Sequence, residues 1–196
     1  VQTCALPIYF SYGGTGTTTR PDIRGDGISF FLFDVDEQPF EPGQFGGSLG
    51  FAQRSGNLPG MKGGFLAIGL DEFGNYGINS EGKYIGTNDG FKTTTNGNFS
   101  TAVYANGGVI LRGGVGPNGE RTGTDVYPFI DGKLTQPTIG GQAAHPDWIL
   151  PAGSRFSIST DTRYTNPIQD GYRKVRMNIK KNTGSNTGFS IDVDIF

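Results

Sequence analysis

Apolar and polar residues alternate in several short stretches of the chain. In Phe189-Ser190-Ile191-Asp192-Val193-Asp194-Ile195 the apolar side chains fall on one face and the polar ones on the other. Val175, Met177 and Ile179 alternate in the same way with Lys174, Arg176 and Asn178, and Phe156 and Ile158 alternate with Ser157 and Ser159. A period of two predicts half-buried antiparallel strands. Three other stretches, Ile28 to Phe33, Phe65 to Leu70 and Val109 to Leu111, are short and almost wholly apolar. They predict strands covered on both faces, as between two sheets. Turn formers separate the stretches: Gly13-Gly14, Pro59-Gly60, Asn96-Gly97, Asn118-Gly119 and Asp131-Gly132. No stretch of ten or more residues shows helical spacing. The region Gly113 to Pro151 is poor in strand signals and reads as long loops. The pattern is that of a β-sandwich.

Composition narrows the picture. The 196 residues include 34 Gly and 11 Pro, which disfavours a helical bundle because both are poor in helix interiors. The glycines lack the three-residue period of collagen. With 15 Phe, 8 Tyr and a net charge of -2, the chain has enough apolar surface to offset the entropy of ordering. No basic run exceeds Lys180-Lys181, which argues against nucleic acid or an anionic membrane as partner. No apolar run approaches the roughly 18 residues of a membrane-spanning helix.

The single cysteine, Cys4, excludes an internal disulfide. Residues 1–8 resemble translated sequencing-adapter sequence and are set aside as non-native, Cys4 included. Residues 9–196 then read as one domain. The start shows neither a basic n-region nor an apolar h-region, and the natural N-terminus is expected to lie elsewhere.

Several local patterns suggest chemistry. Gly46-Gly47-Ser48-Leu49-Gly50 matches G-x-S-x-G, but a nucleophile elbow runs from a strand into a helix, and no helix is expected here. A Gly-rich turn is the simpler reading. Arg24-Gly25-Asp26 is a short integrin-type tripeptide, and Asn98-Phe99-Ser100 is a glycosylation sequon relevant to secreted eukaryotic proteins. Asp34, Asp36 and Glu37 fail the EF-hand spacing at Gln38-Pro39 and read as a solvated acidic loop. His145, the only histidine, leaves zinc without ligands. Trp148 reads as a core anchor. Asp71, the carbonyl of Phe73 and Asn75 lie where a buried strand enters a loop, with Gly74 allowing a tight bend. They are oxygen donors of the kind Ca²⁺ takes, or else the parts of an Asx-turn at a strand end. Asp26 stands between two glycines just before a strand and is expected to face solvent in a loop-lined depression.

Three of these segments together resemble the L-type lectins. Gly25-Asp26-Gly27-Ile28-Ser29-Phe30-Phe31-Leu32 looks like their A-D-G-hydrophobic-F strand. Gly46-Gly47-Ser48-Leu49-Gly50-Phe51 looks like their glycine-rich sugar loop, and Leu70-Asp71-Glu72-Phe73-Gly74-Asn75 looks like their calcium strand. The three follow in family order over about residues 13–76, in wording most like the lectin-like domains of bacterial surface adhesins. The resemblance implies an all-β fold, a concanavalin A-like sandwich (jelly roll) of two antiparallel sheets. It implies glycans as partners at the bacterial surface or outside the cell. It also implies Ca²⁺ on Asp71, the Phe73 carbonyl and Asn75. Sugar hydroxyls would meet Asp26, Asn75 and a backbone N–H of Gly46 or Gly47, with the Phe73 ring against the sugar's C–H face. A cis Gly25–Asp26 peptide would accompany them.

The sequence departs from the family in three ways. Gly69 replaces the glutamate of a second, transition-metal site, so none is expected. A further calcium carboxylate is not obvious, Glu81 and Asp89 being the nearest candidates, with Asn79 and Ser80 as weaker donors. The flanking strands of the family are missing, so the domain reads as truncated at both ends. Glycoside hydrolases share this sandwich, but their E-x-D-x-x-E strand would need glutamates at Gly69 and Gly74. The expected function is therefore non-catalytic sugar binding, the alternatives being a hydrolase or a structural adhesin module whose sugar site has decayed.

Overall fold

The computed structural model describes residues 26–54, 58–77, 107–114, 127–135, 147, 149–156, 158, 174–180, 182 and 190–196. It also gives the backbone of 6–10, 138–139, 142–143, 173, 181 and 189. The described residues form antiparallel strands, and no α-helix occurs among them. No helix among them is long and apolar enough to cross a membrane. The chain divides into two compact units, Ile23–Ile158 and a second made of Val1–Asp22 with Ser159–Phe196.

The larger unit is built on a four-stranded sheet in the order β2-β3-β4-β5, comprising Gly27–Phe33, Gly64–Asp71, Gly108–Gly113 and Phe129–Leu134. The three continuous apolar stretches supply the first three strands. Register sets what each face carries. Phe31 lies opposite Ala67, Ala67 opposite Arg112, and Ile110 opposite Gly132, so these residues share one face. That face holds the core, where Ala67 and Ile110 pack with Phe51, Ala52, Met61, Tyr76, Tyr127 and Leu134. The other face is apolar as well. Ile28 pairs with Leu70, Phe30 with Ile68, and Leu70 with Val109, and Ile68 and Leu70 are buried. A sheet apolar on both sides is the expected consequence of unbroken apolar runs.

Three expectations need correcting. Asp131-Gly132 is not a turn, and the stretch after Gly113 is not all loop. Both residues lie inside β5, and a short ribbon of Thr138–Ile139 (β6) and Gln142–Ala143 (β7) follows. The β4 ladder and the burial of Leu134 override the local turn preference, since strand propensity yields to context. Gly132 sits on the packed face opposite Ile110. Phe156 and Ile158 lie outside any strand, after a 3-10 turn at Ala152–Ser154. Two apolar positions spaced by two fit a buried bend as well as a strand, and Ile158 is buried in one.

The smaller unit is a three-stranded sheet in the order β1-β8-β9, comprising Leu6–Phe10, Arg173–Lys181 and Phe189–Ile195. Leu6 to Ile8, within the adapter-like segment, pair with β8 from Met177 to Val175. Val175, Met177 and Ile179 lie opposite Ile195, Val193 and Ile191, as the alternation predicts. The opposite face is charged: Arg176 faces Asp194, and Lys180 lies 3.7 Å from Asp192. Lys174 and Arg176 both sit over the Phe196 ring, at 5.4 and 5.2 Å.

Candidate functional site

The three motif segments meet at one end of the β2–β3 pair. Gly27 lies opposite Asp71 in the ladder, so the start of β2 and the end of β3 coincide. Just before the strand, the Asp26 carbonyl accepts the backbone N–H groups of Glu72 (3.0 Å) and Phe73 (3.1 Å). The turn carrying Phe73 is thus tied to the residue expected to grip a sugar. Gly27 permits this closeness. Its φ is +150°, and a Cβ there would lie 2.3 Å from the Leu70 carbonyl oxygen, so only glycine fits.

The glycine-rich loop comes to the same place. Gly46–Ser48 form one 3-10 turn, Gly46 with φ +68° and Leu49 in the left-handed region at φ 51°. The loop is closed by its own backbone: Gly43 N–H donates to Gly50, Gly50 N–H to Gln44, and Gln44 N–H to Ala52. Among the described residues, a Cβ placed on Gly46 would lie near Asp26 Oδ1 and Arg54 Nη1, each at 3.9 Å. The Asp26 carboxylate and the Arg54 guanidinium thus both lie near Gly46. Asp26 and Gly46 are half-buried, and Gly47 is buried.

Ser48 does not serve as an exposed nucleophile. It is fully buried, and its hydroxyl donates to the Gln53 carbonyl at 3.0 Å. In the acidic loop, Asp34 Oδ1 accepts the N–H of Asp36, and Glu37 pairs with Lys62 at 3.0 Å.

Asp71 is fully buried at the end of β3. Its Oδ1 accepts the N–H of Gly74 at 2.8 Å, and its Oδ2 accepts those of Tyr76 (2.7 Å) and Gly77 (3.1 Å). These bonds fold residues 72–77 back over the strand end. A carboxylate offers about four acceptor positions, so at least three are taken. Burying the charge costs several kcal/mol, and three charge-assisted bonds at about 1.5–3 kcal/mol each are of the size that offsets it. Part of the donor set expected for Ca²⁺ is thus engaged by backbone N–H groups, and the further donors named from the sequence lie outside the described residues. The ion takes six to eight oxygens, and here three N–H dipoles turn their positive ends to the carboxylate it would need. Asn75 is buried and Phe73 half-buried. Among the described residues, no group of three His, Cys, Asp or Glu side chains comes together.

The Tyr76 ring packs against Gly69. A Cβ at Gly69 would come within 2.4 Å of Tyr76 Cδ1, so the space a side chain would take there is filled by the aromatic ring. Arg112 covers the other side of the arrangement. It is fully buried, with its Cζ 5.3 Å from the Tyr76 ring centroid, Nε donating to the Tyr76 carbonyl and Nη1 to that of Tyr127. The Tyr76 hydroxyl is buried with no hydrogen-bond partner among the described residues. Burial raises its pKa, and also raises that of Tyr127, to about 12.

Two residues at the site carried no signal recognised in the sequence. Phe45, just before Gly46, is 74% exposed, and the Arg54 guanidinium sits 5.0 Å from its ring centroid. The available hint was an aromatic inside a glycine-rich loop. Gly25, and with it the Gly25–Asp26 peptide, lies outside the described residues, as do Asn79, Ser80, Glu81, Asp89, Asn98, His145 and Trp148. Scans against protein-family models, curated proteins and solved structures find no significant match to the chain.

Proposed function

We propose that this chain is a non-catalytic carbohydrate-binding domain, lectin-like in type, displayed on or secreted from a bacterial cell. One observation carries the reading. Segments far apart in sequence bring Asp26, Gly46 and the Phe73 turn to one strand end. A carboxylate able to accept from hydroxyls, beside backbone not shielded by a side chain, suits a sugar diol. Asp71 acts as the staple of the Phe73–Asn75 turn. The bacterial surface setting rests on the resemblance to adhesin domains. A single shallow site of this kind gives about 4–6 kcal/mol, a Kd of millimolar to tens of micromolar, and repeated display would add avidity.

The test is a glycan array probed with the parent chain and with Asp26→Asn, which keeps the shape and removes the charge. The expected result is binding by the parent, lost in the variant, with the melting temperature unchanged. Parent-like binding by Asp26→Asn places the site elsewhere. Release of reducing sugar from the array glycans overturns the non-catalytic reading. A structural adhesin module is the second reading, favoured by the engagement of Asp71 with its own loop. A cooperatively folded parent that binds no glycan supports it.

A further inference from the structure

The glycine-rich loop carries a leucine where its own backbone calls for glycine. Three of its residues lie in the left-handed region: Gly46 (φ +68°), Leu49 (φ 51°) and Gly50 (φ +73°). Glycine takes that conformation without penalty, whereas a Cβ crowds the backbone there. We infer that Leu49 is a positioning residue of the saccharide site, pinning the Gly46–Ser48 turn to the strand end through its side chain and its carbonyl. This inference rests on the carbohydrate-binding reading, in which Gly46 or Gly47 gives a backbone N–H to the sugar.

The pin has two prongs. The first is the Leu49 side chain, which straddles two glycines of neighbouring strands. Its Cδ1 lies 3.2 Å from where a Gly69 Cβ would stand, and its Cδ2 lies 3.2 Å from where a Gly27 Cβ would stand. The β2–β3 register pairs Gly27 with Asp71 and Ser29 with Gly69, so both glycines belong to the packed face. Leu49 is half-buried and joins the core from its edge. The second prong is Ser29 of that same face, whose hydroxyl donates to the Leu49 carbonyl.

Holding Leu49 holds the turn. Its N–H donates to the Gly46 carbonyl at 2.9 Å, and the next N–H, of Gly50, donates to Gln44 at 2.8 Å. A left-handed residue other than glycine persists where its surroundings over-determine it. Here the two bare strand positions and the Ser29 hydroxyl do so. A glycine at position 49 would relieve the strain but leave the turn without its anchor. Backbone groups fixed before a ligand arrives lose little entropy on binding, which matters most at a weak site.

The experiment compares the parent with Leu49→Gly, Leu49→Ala, Leu49→Met and Ser29→Ala by glycan array, thermal melting and deuterium exchange of residues 46–50. Leu49→Gly removes the side chain and relaxes the backbone, so its two effects on stability oppose each other. Leu49→Ala removes the side chain and keeps the strain. Leu49→Gly should therefore melt close to the parent, yet exchange faster in the loop and bind about tenfold more weakly. Leu49→Ala should melt lower, Ser29→Ala should lose part of the binding, and Leu49→Met should bind like the parent. Parent-like binding by Leu49→Gly and Ser29→Ala overturns the positioning role and leaves the carbohydrate reading standing. A melting temperature of Leu49→Gly as low as that of Leu49→Ala also overturns it, because Leu49 would then be a core residue and nothing more. Absence of any binding by the parent overturns the carbohydrate reading, and faster loop exchange in Leu49→Gly would still support the pin.

Discussion

The Asp71 carboxylate and the Tyr76 backbone N–H lie 2.7 Å apart, five residues from each other in sequence, in the tightest of the three bonds that fold the loop onto its strand. Removing the acceptor leaves three N–H groups, all buried, without it. Asp71→Ala is expected to cost about 3 kcal/mol or more, since each buried N–H left unsatisfied costs about 1–3 kcal/mol. Asp71→Asn should cost less, because its amide oxygen still accepts while its NH₂ opposes an N–H. Urea denaturation of the two variants measures this. Parent-like stability in both would remove Asp71 from its structural role.

Calcium should leave the melting temperature unchanged. Ligands that bind only the folded state stabilise it by mass action, but the Asp71 oxygens already accept from Gly74, Tyr76 and Gly77. Thermal melts in excess calcium and in chelator provide the comparison. A higher midpoint in calcium, abolished by Asp71→Asn, would show that the loop rearranges to take the ion.

Gly69→Ala tests the packing beneath the loop. The new methyl would meet the Tyr76 ring at 2.4 Å. That ring cannot give way easily, since the Tyr76 backbone is held by Asp71 and by Arg112. A loss of about 1–3 kcal/mol is expected, typical of overpacking. A neutral result in chemical denaturation would mean that the ring can slide.

Tyr76→Phe should stabilise the protein. The tyrosine hydroxyl is buried without a partner among the described residues, and such a group costs about 1–3 kcal/mol. Phenylalanine keeps the ring under Arg112 and drops the oxygen. A lower stability than the parent would indicate that the hydroxyl makes a bond after all.

Alkaline pH should unfold the domain through its buried tyrosines. Burial raises the pKa of Tyr76, and raises that of Tyr127 from 10.0 to about 12. Between those values the unfolded chain has lost a proton that the folded chain retains. Stability is therefore full below pH 10.0 and falls as pH rises toward about 12. Melting temperatures across that window, followed with tyrosinate absorbance, check the sign. Tyr127→Phe should flatten the fall, though it also loses the 2.7 Å bond to the Met61 carbonyl.

Much of the strand framework was legible from sequence, because alternation and unbroken apolar runs are direct imprints of one-sided and two-sided burial. Ile28 to Phe33 and Val175 to Ile179 became strands for that reason. Asp131-Gly132 misled because turn propensity is local, while the β4 ladder that holds it is made with residues more than ten positions away. Around the candidate site, the motifs holding Asp26, Gly46 and Asp71 are each visible in the sequence, and the β2–β3 ladder is what brings them to one strand end. Phe45 was not legible, since a phenylalanine in sequence is silent about which side of it faces water. Arg54 was silent for another reason: its place beside Gly46 depends on the bridge to Leu58.

Arg112 has a consequence for motion. A guanidinium is always charged and cannot be left unpartnered in a core, yet it gives its N–H groups to the Tyr76 and Tyr127 carbonyls. The loop after β3 is thereby fastened to the segment leading into β5. Loops ordinarily open by small local fluctuations far cheaper than unfolding. Here the amides of Gly74, Tyr76 and Gly77 are shielded by a carboxylate within and clamped by a cation from beneath. They should exchange with deuterium on the timescale of the central strands, so that the turn after β3 opens only when the sheet itself does.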